Sequence, residues 1–138
     1  MILVRGKKIE RRFIIVDSIL TTIKEMLGIT EEYTHFDIDV ITHINTALSI
    51  LSQIGVTKTK GFSIRDSSAT WDSIINPGTD LEMIKTYIFM KVKLIFDPPQ
   101  SSGAVESMKQ LISEFEWRIS VSVDPPSTFN STQQGGLL

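Results

Sequence analysis

Cysteine is absent from the 138 residues. That excludes disulfides and thiolate chemistry, and it fits a reducing cytoplasm or a particle assembled there. Long apolar runs are missing too. Met1–Val4 gives way to Arg5, and Phe13–Val16 is cut short by Asp17. Neither approaches the roughly 20 residues that span a bilayer, and neither makes the core of an export signal. No membrane partner is therefore expected. Serine is plentiful, yet there is no Gly-x-Ser-x-Gly elbow and no glycine loop of the phosphate-cradling kind. Glu114 and Glu116 face different sides of a helix and cannot work as a glycosidase pair. Histidine occurs only as His35 and His43, near Asp37 and Asp39. Asp39 and His43 have a spacing that can hold a metal. Helix capping and ordinary surface positions account for the four residues more simply. The expectation is no catalytic residue, no metal, no cofactor and no enzyme. Asn130-Ser131-Thr132 matches a glycosylation triplet, which without export is a chance match.

What is present is a pair of matched stops. The helix-like stretches 80–96 and 101–123 end at Asp97-Pro98-Pro99 and Asp124-Pro125-Pro126. A double proline removes N–H donors and disfavours helical geometry in the residue before it. The two stops outline a helical hairpin with one corner at 97–100.

Charge is unevenly spread around an overall −2. Residues 1–12 hold Arg5, Lys7, Lys8, Arg11 and Arg12 against Glu10. Residues 13–138 hold nine basic and fifteen acidic groups, a net −6. An acidic body argues against wrapping DNA, because that affinity comes from neutralised phosphates. It suits a surface that DNA passes without sticking.

The length suffices for one domain with its own core. Residues 1–16 read as an N-terminal arm, 17–124 as a helical domain and 125–138 as a polar, flexible C-terminal tail. The fold expected is mainly α: a small bundle of four main helices with a long mid-chain loop or short β-hairpin. The first helix spans 18–27, capped by Asp17 or Ser18 and stopped by Gly28. The second is capped by Asp37 or Asp39 and closed by Gly55, with Val40, Ile44, Ala47, Leu51 and Ile54 along its stripe. Its polar face, Thr42, Asn45, Ser49 and Ser52, is uncharged and so is expected to meet another protein surface. Residues 56–64 alternate in the manner of a short strand, and Trp71–Ile75 reads as one helical turn seating Trp71 and Ile75.

The third main helix, capped by Thr79 or Asp80, carries Leu81, Ile84, Ile88, Val92 and Ile95. It is apolar nearly all round, as a central helix is. The fourth begins at Ser101 or Ser102, with Val105, Met108, Ile112, Phe115 and Ile119 along its stripe. After Trp117, alternation of Ile119, Val121 and Val123 with serines predicts an extended end. The expected core includes Ile44, Leu51, Ile84, Ile88, Val92, Ile112, Phe115 and Trp117. Trp71 and Trp117 are both read as buried aromatics rather than partner anchors.

Lys91-Val-Lys-Leu-Ile-Phe-Asp-Pro-Pro99, the serine-rich turn after it, Glu114-Phe-Glu-Trp-Arg118 and Val123-Asp-Pro125 together resemble the head–tail connector proteins of tailed bacteriophages. The resemblance covers residues 17–126; residues 1–16 fall outside it. It implies a structural virion protein of the capsid–tail neck, assembled in the host cytoplasm. Such a protein forms a ring of its own copies, typically a dodecamer, beneath the portal protein. It extends the DNA channel without specific binding to the DNA and docks the next neck or tail protein. It implies portal binding by Val121, Val123, Asp124, Pro125, Pro126 and Phe129. It also implies a subunit or tail-side interface at Lys58, Lys60, Phe62, Ile64 and Arg65, and the two assignments are interchangeable. The alternative is a small helical nucleic-acid-binding protein that uses the basic arm.

Overall fold

The computed structural model describes residues 18–123. The expected arm and tail lie outside these residues. Among them are five helices and no strand: α1 Ile19–Met26, α2 Asp37–Ile54, α3 Trp71–Ile74, α4 Leu81–Phe96 and α5 Ser102–Val123. The four longer helices form the expected small bundle, and none is long and apolar enough to cross a membrane.

Local chemistry sets most boundaries. The Ser18 hydroxyl caps α1 by accepting the Thr21 N–H at 3.2 Å, which satisfies one of the free donors at a helix start. Ile19, Leu20 and Ile23 then point into the core. Before α2 the capping residue is Phe36, whose side chain makes no cap bond. Asp37 and Asp39, expected as caps, instead lie in the first turn, where negative charge suits the positive helix end. At the other end Gly55 takes φ +104°, a left-handed conformation open to glycine at little cost.

The central helix is α4, packed against α1, α2 and α5. Asp80 caps it, accepting the Met83 N–H at 3.2 Å. Ile84, Tyr87, Ile88, Met90 and Val92 are buried, while Leu81, Met83, Phe89, Leu94 and Phe96 are partly covered. Ile95, expected on the buried stripe, is exposed. It falls at the last turn, beyond the neighbours that cover the middle of the helix. Ser101 starts α5 by accepting the Ala104 N–H at 3.1 Å.

Two expectations fail. The end of α5 is not extended: the helix continues through Val123. The Ser120 and Ser122 hydroxyls donate to the carbonyls of Glu116 and Ile119 at 2.9 and 2.7 Å, so these serines turn inward on their own helix without ending it. Of the two forms expected for the mid-chain region, a long loop or a short hairpin, the loop is present, and the strand-like reading of 56–64 fails. The segment 55–70 is a loop with isolated bridges at Thr57–Ile75 and Ser18–Thr70. Its apparent alternation arises because Val56 and Ile64 dip into the core as separate anchors. Trp71, 1% exposed, sits below this loop on the single turn α3 and donates from Nε1 to the Thr22 hydroxyl at 3.1 Å.

Candidate subunit and partner interfaces

The mid-chain loop owes its shape to α2. The Asn45 amide brackets one residue of it: Nδ2 donates to the Ile64 carbonyl at 3.0 Å, and Oδ1 accepts the Ile64 N–H at 2.7 Å. About two turns later, the Ser52 hydroxyl accepts the Gly61 N–H at 3.1 Å. The uncharged polar face of α2 therefore meets this chain's own loop at Asn45 and Ser52, where a foreign surface was expected. Thr42 and Thr46 donate to carbonyls of their own helix.

Held this way, the loop turns Lys58, Lys60 and Arg65 outward and leaves Phe62 half-buried. Ile64 is buried and belongs to the core, so it offers no surface to a neighbour. Asp66 follows at the surface, its carboxyl held below the usual carboxylate range chiefly by the Ser68 hydroxyl and then by the Ser68 N–H. A groove of about 350 Å³ runs between Ser49, Ser52 and Gln53 of α2 and Lys60 and Gly61 of the loop.

Of the residues implied for portal binding, Val121 is half-buried and Val123 exposed on the last turn of α5. Asp124, Pro125, Pro126 and Phe129 lie outside the described residues. The expected core residues Ile44, Leu51, Ile84, Ile88, Val92 and Ile112 are buried, and Phe115 is partly so. Trp117 is not: the residue is 65% exposed. The stripe that packs α5 passes through Ile112, Phe115 and Ile119, and at 100° per residue Trp117 falls on the opposite side. It stands beside the Glu114–Arg118 pair, 3.7 Å apart.

A second surface was not anticipated. At the start of α2, Phe36 meets Phe96 edge-on with ring centroids 5.3 Å apart, and Tyr33 lies 5.6 Å from Phe36. His35 packs against Phe36 at 5.0 Å. Gly28, Ile29, Thr30, Tyr33 and Phe36 line a groove of about 320 Å³. Ile38, 79% exposed, and Ile95 stand out into solvent at this end. The aromatic run Tyr33-x-His35-Phe36 was the sequence signal for it, placed in a link between two helices where apolar residues have no periodic role.

The link itself is anchored by one buried cation. Lys24, its side chain 3% exposed, lies 2.7 Å from Asp37 Oδ1 and donates to the Glu31 carbonyl at 3.0 Å. Asp37 Oδ1 is buried and has no hydrogen bond of ordinary geometry, so the ammonium compensates it as a close charge. Asp37 is thus committed to Lys24, and no group of three or more His, Asp or Glu among the described residues is placed to hold a metal.

Another polar tie joins α4 to α5. Tyr87 donates its hydroxyl to Glu116 Oε2 at 2.7 Å. Burial first, and then the carboxylate, push the phenol pKa far above its ordinary value. Both ties join one element to another, and neither lines a groove. The grooves themselves are open to solvent, one edged by lysine and one by aromatic rings.

A family model described as phage connector protein matches residues 19–126. No curated protein and no solved structure matches the chain.

Proposed function

The chain belongs to the phage connector protein family, and on that premise we propose that it is a head–tail connector that assembles as a ring beneath the portal. The family is a structural one of the virion, and the match runs the length of the described bundle. That coverage is the observation that carries the reading. The ring, typically a dodecamer in such proteins, extends the DNA channel and docks the next neck or tail protein.

Surface chemistry supports an assembling subunit. Trp117, Ile38 and Ile95 are large apolar side chains facing solvent, and tryptophan in particular is enriched where partners bury it. Residues 18–123 carry nine basic and thirteen acidic side chains, a balance suited to a wall that DNA slides past. The segment from Val121 onward, through Asp124, Pro125, Pro126 and Phe129, reaches the portal. The loop bearing Lys58, Lys60, Phe62 and Arg65 faces a neighbouring subunit or the tail side.

Co-expression with the portal protein of the same phage tests this. The full chain should co-migrate with portal rings, and a chain lacking residues 124–138 should not. Failure of the full chain to co-migrate overturns the connector reading. Retention of the truncated chain overturns only the tail assignment.

A further inference from the structure

We propose that the aromatic groove at the start of α2 receives the Lys58–Lys60 loop of a second copy of this chain, a head-to-tail contact between unlike faces. The inference rests on the ring reading above and names the two surfaces that meet.

The groove is open and apolar, with Tyr33 and Phe36 on its wall and Ile38 beyond it. Apolar side chains left this exposed call for a cover. Charge selects the occupant. Between residues 25 and 57 the sequence contains no lysine or arginine, but it contains Glu25, Glu31, Glu32, Asp37 and Asp39. Asp37 is neutralised by Lys24; Glu25, Glu31, Glu32 and Asp39 are exposed. From 57 to 65 the pattern inverts: Lys58, Lys60 and Arg65 occur with no acidic residue. Glu31 and Glu32 lie between the groove residues Thr30 and Tyr33 in the chain, so acidic groups flank the groove, while the loop is a positive ridge.

These faces cannot meet within one molecule. The groove flanks Phe36, and the ridge flanks Ser52 and Gln53. Sixteen residues of helix separate Phe36 from Ser52, roughly 24 Å at 1.5 Å per residue. A twofold contact of either face with itself would oppose like charges. A contact between unlike faces leaves one of each free, which is what a closed ring or a chain of subunits requires. The ridge is also fixed in advance by the Asn45 and Ser52 bonds, so little loop ordering opposes docking. Lysine ammonium groups arriving at the Tyr33 and Phe36 rings gain cation–π attraction as well as the carboxylates.

Sedimentation of the full chain at low ionic strength, with charge reversals on each face, tests the contact. The wild type should self-associate, and more weakly as salt rises. K58E/K60E and E31K/E32K, all at exposed positions, should each associate at least roughly tenfold more weakly. In an equimolar mixture every groove of one variant finds a ridge of opposite charge on the other, so the mixture should regain association that neither variant shows alone. The quadruple variant, with both signs exchanged, should regain association. A wild type that stays monomeric, either reversal associating like the wild type, or a mixture that stays monomeric overturns the proposal. If the reversed variants fail to associate with each other yet co-migrate with portal rings as the wild type does, the two faces serve no ring contact, and the connector reading survives. If the wild type fails to co-migrate with the portal, the connector reading falls whatever the sedimentation shows.

Discussion

The two tryptophans of this chain should answer oppositely to truncation. Trp71 is 1% exposed and bonded through Nε1 to Thr22. A buried tryptophan hides roughly 200 Å², worth about 5 kcal/mol at ~25 cal/mol per Å². Alanine retains part of that, and partial collapse recovers some more, so Trp71→Ala should cost about 3–5 kcal/mol. Trp117 is 65% exposed. Its covered third is worth at most ~2 kcal/mol by area, less in a realistic unfolded state. The better helix propensity of alanine offsets about another half kcal/mol. Trp117→Ala should therefore cost less than ~1 kcal/mol. For a folded unit near 100 residues each kcal/mol moves the thermal midpoint by roughly 4 °C. The expected shifts are about 12–20 °C for Trp71→Ala and no more than about 4 °C for Trp117→Ala. Circular dichroism melts at low protein concentration measure both. Emission from Trp71→Phe and Trp117→Phe proteins adds an independent readout, since the tryptophan left in Trp117→Phe should be shielded from acrylamide. Equal losses for the two alanine variants, or equal quenching of the two phenylalanine variants, would refute the placement of both rings.

Two further outcomes follow from the polar ties. Asp37→Ala strands the Lys24 ammonium, which keeps only the Glu31 carbonyl. The cost in urea denaturation should be about 2–3 kcal/mol, the low end for a broken buried pair because Asp37 is partly exposed. Adding Lys24→Met should recover part of it, and a single-variant loss under about 0.5 kcal/mol would contradict the pairing. Tyr87 has a raised pKa in the fold, so its contribution is complete below the unfolded phenol value of about 10 and is lost as pH climbs beyond it. Tyr87→Phe should be less stable near neutrality by about 1–2 kcal/mol. Its deficit should shrink at alkaline pH, and a deficit that stays constant to pH 11 would argue against the Tyr87–Glu116 bond.

Most of the bundle was legible because its signals are local. Asp97-Pro98-Pro99 ends α4 at Phe96, Gly55 closes α2, and Ser18, Asp80 and Ser101 cap their helices. The exposure of Trp117 is encoded in its angular position, off the stripe of Ile112, Phe115 and Ile119, and runs against the aromatic character that suggests a core residue. The serines at 120 and 122 imitated strand alternation because a hydroxyl can return its hydrogen bond to its own helix. The mid-chain loop was legible as a loop, but its path over α2 was not. The two bonds from Asn45 to Ile64 cross nineteen residues, and no local pattern encodes such a partner. The groove around Tyr33 and Phe36 is signalled only by an aromatic run in a link between helices, and the contact of Phe36 with Phe96 joins residues sixty apart.

The central claim is that this bundle is a repeated subunit of a ring docked on the portal. Electron microscopy of the chain co-expressed with its portal protein measures that directly. The account predicts a second closed ring of this chain stacked coaxially on the portal ring, with a continuous central channel. Portal rings bare of it, with the chain recovered alone as a monomer, would contradict the account.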